Sequence, residues 1–83
     1  MWPEWWNWEF AFTGHARRRM EERGISEVEL RSMLQHPRGY SPSVAVSRFM
    51  IEVTHEGRPW IVIVEPDPEE RWLVIVTAYE VQR

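Results

Sequence analysis

The sequence predicts an α+β domain, an antiparallel sheet packed on a two-helix hairpin, in the order β-α-α-β-β-β. Three observations predict it. An alternation of aromatics, Trp8, Phe10 and Phe12, reads as a half-buried strand near the start. Two helix-period segments follow, separated by Gly24. From Val44 onward the chain alternates, then becomes continuously apolar, with turn sequences between the runs.

Taken in order, Trp2, Trp5 and Trp6 crowd a stretch without clear period, and Pro3 keeps it out of a central strand. Residues 1–7 are therefore read as a Trp-rich extension of one domain spanning 1–83, with the core in 8–83. Such an extension suits a cover over the domain's own core or a dimer contact. It carries no basic face, so no membrane partner is expected. Thr13 is placed as an N-cap for the first helix, whose sole apolar seam is Ala16 and Met20. On the outer face, Arg17 stands four residues before Glu21 and Arg18 four before Glu22, the spacing of weak ion pairs. Gly24 stops this helix as a C′ glycine.

The second helix is marked more strongly. Ser26 and Glu29 have capping-box spacing, and Ile25 with Leu30 has the spacing of a hydrophobic staple. Leu30, Met33 and Leu34 share a core-facing stripe. His36-Pro37 ends the helix, and Arg38–Ser43 reads as a loop because turn residues fill it. Phe49, Ile51 and Val53 then alternate with polar neighbours. His55-Glu56-Gly57-Arg58 is a hairpin turn, and Pro66–Glu70 is a second turn. The runs Trp60–Val64 and Trp72–Val76 are apolar on both sides, the mark of strands covered on both faces. Two short helices cover one face only. The other needs the Trp-rich extension, a second copy of the chain or a partner, and a homo-oligomer is expected.

Eighty-three residues supply a thin core, so six Trp and an aromatic content of 13% compensate. Cysteine is absent, which removes disulfides and thiolate metal sites and points to a reducing, cytoplasmic setting. The opening residues have neither a basic nor an apolar leader region. Net charge is −3, which excludes a generally basic, non-specific nucleic-acid binder. All ten cationic residues are Arg, and six of them fall in residues 1–42. Any polyanion would have to meet the first helix.

On that helix His15, Arg19 and Arg23 lie on one stripe, each about 40° from the last. An imidazole can serve as a general base, and two guanidinium groups can hold phosphate oxygens. The competing account is structural: His15 caps the hairpin, and Arg19 and Arg23 pair with strand carboxylates such as Glu52, Glu65 or Glu80. His15, His36 and His55 fall in three elements without ligand spacing, so neither a metal nor another cofactor is expected.

The motif His15-Ala16-x-x-Arg19-Met20-x-x-Arg23-Gly24-Ile25-Ser26, followed by a meander closing on Val76-Thr77-x-Tyr79, resembles a family of small bacterial domains of unknown function. That family is grouped with RelE- and BrnT-like toxin domains. The resemblance covers about residues 10–81 and implies a RelE-like fold with metal-free RNA cleavage, an mRNA interferase held inactive by an antitoxin protein. It implies His15, Arg19 and Tyr79 as catalytic residues, with Arg23 and Thr77 binding the RNA substrate. The alternative expectation is a non-catalytic interaction or oligomerisation module.

Overall fold

The computed structural model describes residues 2–82; Met1 and Arg83, the two ends of the expected domain, lie outside the described residues. A 3₁₀ turn, Glu4–Asn7, precedes β1 (Glu9–Phe12), α1 (Gly14–Glu22) and α2 (Glu27–Leu34). Four strands follow: β2 (Gly39–Pro42), β3 (Phe49–His55), β4 (Arg58–Asp67) and β5 (Trp72–Glu80). They form one sheet in the order β1-β5-β4-β3-β2. The run β2 to β5 is an antiparallel meander, while β1 lies parallel to β5 with Phe12 opposite Ile75. The α+β class and the two helices are as the sequence predicts.

Two boundaries differ from the sequence reading. Gly39–Pro42 is a fourth meander strand rather than a loop, with Tyr40 opposite Ile51. It is an edge strand, where Pro42 costs no ladder bond, and its Tyr40 ring packs against Phe49 and Trp5. Conversely, the strand expected from Val44 begins only at Phe49. Val44 and Val46 stand exposed in the preceding loop, where Ser47 takes φ 68° and breaks an extended path.

The hairpin turn follows the expected chemistry. His55 pairs with Arg58, and Glu56 and Gly57 take φ 51° and 76°, the left-handed pair of a type I′ turn. At the β4–β5 turn the Asp67 carboxylate accepts the backbone N–H groups of Glu69 and Glu70 at 3.1 and 3.3 Å.

One face of the sheet carries the core. Ile51, Val53, Val62, Val64, Leu73, Ile75 and Ala78 are buried against Ala16 and Met20 of α1 and Leu30, Met33 and Leu34 of α2. Trp5 joins this same core, its ring 5.1 Å from Phe49. The Trp-rich segment therefore closes the helix-side layer and leaves the opposite face alone. That opposite face carries Met50, Ile61, Ile63 and Val74, half-buried and alternating with the core positions. A bulge between Ile63 and Val64 shifts the β5 register at Val76.

Candidate functional site

The geometry of α1 sets the site. Thr13 Oγ1 accepts the Ala16 N–H at 2.9 Å, the expected cap, and lies 3.4 Å from the Ile75 carbonyl. That anchors the start of the helix to β5. At the other end, Gly24 N–H donates to the Glu21 carbonyl at 3.2 Å and Ile25 N–H to the Met20 carbonyl at 2.9 Å. With Gly24 at φ 71°, this is a Schellman stop, and buried Met20 and Ile25 supply its hydrophobic contact. Arg23 is the C-cap residue, so its side chain leaves the helix where the chain turns.

Its guanidinium turns to β5. Arg23 Nη1 donates to the Ala78 carbonyl at 2.8 Å and sits 3.5 Å from Thr77 Oγ1. This contact has a simple cause. β1 ends at Phe12, opposite Ile75, so the far half of β5 has no strand on that side. Arg23 supplies the donor that a longer β1 would have provided. Arg23 and Tyr79 also line an open cleft of about 520 Å³, with Trp60, Glu80 and Gln82. The Tyr79 side is 36% exposed.

Of the expected site residues, Arg23, Thr77 and Tyr79 thus come together at one corner. Arg19 does not join them; its Nη1 donates to Glu22 Oε1 at 2.8 Å on its own helix. His15 is exposed and has no hydrogen-bond partner among the described residues. It lies about 12 Å along the axis from Arg23, at 1.5 Å per residue. The structural alternative is corrected in its details. Glu65 pairs with Arg48 at 2.9 Å and Glu80 with Arg58 at 3.3 Å, leaving neither for α1. Nor do the outer-face pairs form as spaced: Arg17 reaches across the turn to Glu27, and Glu22 is taken by Arg19.

Trp60 and Gln82 were not singled out from the sequence, and Glu80 only as a candidate partner for the α1 arginines. Gln82 and Glu80 are near Tyr79 in the chain, and Trp60 reaches the corner by pairing opposite Glu80 in the β4–β5 ladder. Among the described residues no three His, Asp or Glu side chains gather closely enough to hold a metal ion. No helix there is long and apolar enough to cross a membrane.

Elsewhere, the α2 cap is complete. Ser26 N–H donates to Glu29 Oε1 at 2.9 Å, and Glu29 N–H donates to Ser26 Oγ at 3.1 Å. These Ser26 bonds, with a smaller contribution from His55, hold the Glu29 carboxyl below its ordinary range. His55 Nε2 stands 3.6 Å from Glu29 Oε2.

Fold and corner together define a small α+β domain with a helix-to-strand arginine clasp. Residues 12–80 match the model of a domain family of unknown function, DUF4258, and the chain belongs to that family. No curated protein and no solved structure matches it.

Proposed function

We propose that this domain is a toxin-like, metal-free RNA endonuclease of the RelE and BrnT kind, held in check by an antitoxin protein. The observation that supports it is the meeting of Arg23 with Thr77, 54 residues away, and with Tyr79 in an open cleft. The two ends of the motif share one corner, an arrangement that a chance likeness of short motifs would not require.

In this reading the RNA 2′-hydroxyl attacks the adjacent phosphorus and the 5′-oxygen leaves. Arg23 has donors left after the Ala78 bond to offset the charge of the phosphorane. Thr77 Oγ1 orients a non-bridging oxygen, and the exposed Tyr79 hydroxyl delivers the proton to the leaving oxygen. Arg19 joins when an incoming phosphate displaces Glu22, an exposed pairing of small worth. His15 stands too far along α1 to take the 2′-hydroxyl proton at this phosphorus, so that proton passes to water, and the expected base instead contacts the strand further along α1. Expression should slow growth, and Arg23→Ala with Tyr79→Phe should relieve it. Normal growth with abundant folded wild-type protein counts against the reading.

A different observation favours a second reading, a non-catalytic module that forms a homo-oligomer. The sheet face carrying Met50, Ile61, Ile63 and Val74 has no layer over it in the described chain. Its charges are balanced: Arg48 is paired with Glu65, and Arg38 shares a cleft with Glu52. A neutral rim around an apolar band suits a second copy better than a strongly charged partner.

A further inference from the structure

A second cleft, of about 400 Å³, opens between the 3₁₀ turn, β1 and α2, at the opposite end of β5 from Tyr79. Six residues of strand separate Leu73 here from Tyr79 there, roughly 20 Å. Its base is apolar, formed by the buried Leu34 and Leu73, and Trp6 and Phe10 give it aromatic walls. The remaining lining is polar: Asn7, Gln35 and Arg31.

Arg31 is the residue that draws attention to this cleft. Its guanidinium carbon lies 5.0 Å from the Phe10 ring centroid and 5.8 Å from that of Phe12. The aromatic pair holds the cation in place. No carboxylate lies within ion-pair distance of it among the described residues, as also for Arg18, Arg23, Arg38 and Arg71, and of these five Arg31 alone sits over two rings. The side chains of Asn7 and Gln35 likewise have no hydrogen-bond partner among the described residues. An exposed cation seated over two rings and two exposed amides thus border one aromatic slot.

The geometry points to a binding site for a nucleotide unit: a planar base against Trp6 and Phe10, its edge met by Asn7 and Gln35, and its phosphate held by Arg31. Each part has its own reason. A base stacks on aromatic walls whatever its sequence. Primary amides present the donor–acceptor pair that base edges match. Arg offers its N–H donors edgewise while its face stays on a ring, so phosphate binding does not cost the stack. An acyl chain would fill the apolar base but make no use of Asn7, Gln35 and Arg31. A simple anion would meet Arg31 but not the slot. The volume lies within the range of about 300 to 1,000 Å³ usual for small-ligand pockets. The site stands independently of cleavage at the α1–β5 corner.

The test is equilibrium binding by the full chain. Fluorescence anisotropy of a labelled hexa-adenylate RNA gives the affinity, and unlabelled AMP, adenosine and inorganic phosphate are the competitors. Arg31→Gln should weaken binding at least 10-fold and lower the salt dependence by about one phosphate contact. Arg18→Gln, which removes the same charge from the outer face of α1, should have little effect. Asn7→Ala with Gln35→Ala keeps the Arg31 stack, and so covers the case in which Arg31→Gln unfolds; it should also weaken binding. A hexamer preferred over AMP assigns the cleft to an RNA strand, and AMP binding equally well assigns it to free mononucleotides. Either supports the site. Equal losses for Arg31→Gln and Arg18→Gln, inorganic phosphate competing as well as AMP, or no binding of hexamer or AMP overturns it.

Discussion

The Arg23 guanidinium donates a 2.8 Å hydrogen bond to the carbonyl of Ala78, 55 residues away, and so ties the end of α1 to the last strand. Around this clasp sit both the candidate chemistry and part of the stability. A charge-assisted bond of this kind, partly solvent-exposed, is worth about 1 to 2 kcal/mol. Arg23→Ala should lower the unfolding free energy by that amount, read as a lower urea midpoint, and Arg23→Lys should restore only part of it, since a point charge cannot reach Ala78 and Thr77 as a fork does. Equal midpoints for all three proteins would mean that the clasp is only a surface contact.

The Trp-rich start is structural. Trp5 is 9% exposed and packs on Phe49 and Tyr40, so Trp5→Ala should cost about 3 to 5 kcal/mol. Removing residues 1–7 should do comparable damage, read as a lower thermal midpoint. A truncated chain that keeps its midpoint while losing only assembly would show instead that the segment is an oligomer contact.

The α2 capping box makes a pH prediction. Glu29 has a lowered carboxyl pKa in the fold, so its contribution is fully present above the unfolded carboxylate pKa and fades as pH falls through the folded one. Glu29→Gln keeps both capping bonds but does not titrate there. Its stability relative to wild type should therefore rise between neutral pH and about pH 3. Chemical unfolding at the two pH values checks this, and parallel acid losses would contradict it. Ser26→Ala should cost about 1 kcal/mol at neutral pH and less near pH 3, because the Ser26 side chain also favours the Glu29 carboxylate.

The uncovered sheet face predicts self-association. Sedimentation of the wild type should show a species larger than the monomer, and Ile63→Glu should return it to monomer with the fold intact. Ile63 is half-buried, so the variant's far-UV spectrum and melting curve must accompany the mass. A wild-type monomer at high concentration would remove the second reading.

Much of this fold was legible because local chemistry and tertiary packing agree. Ser26, Glu29, Ile25 and Leu30 mark the start of α2 in four residue choices, and all four behave as their spacing demands. Gly24 and the Ala16–Met20 seam did the same for α1. β2 escaped because Gly39 and Pro42 are turn residues by local preference. What makes them a strand is Tyr40 lying opposite Ile51, a contact no local window contains. The parallel pairing of β1 with β5 was hidden for the same reason. At the site, the stripe of His15, Arg19 and Arg23 was readable from helical period, but its fate was not. Arg19 finds Glu22 one turn on, while Arg23 finds the unpaired half of β5 only because β1 is short.

The central claim is cleavage at the Arg23–Thr77–Tyr79 corner, and its most direct measurement is RNA cleavage by the pure protein, with and without translating ribosomes. Tyr79→Phe removes one exposed hydroxyl and keeps the ring, so the fold should survive. The account predicts that wild type cuts RNA and that Tyr79→Phe is slower by about 10²- to 10⁴-fold, the usual worth of a general acid. RNA left intact by wild type under both conditions, or cut equally fast by Tyr79→Phe, would contradict it.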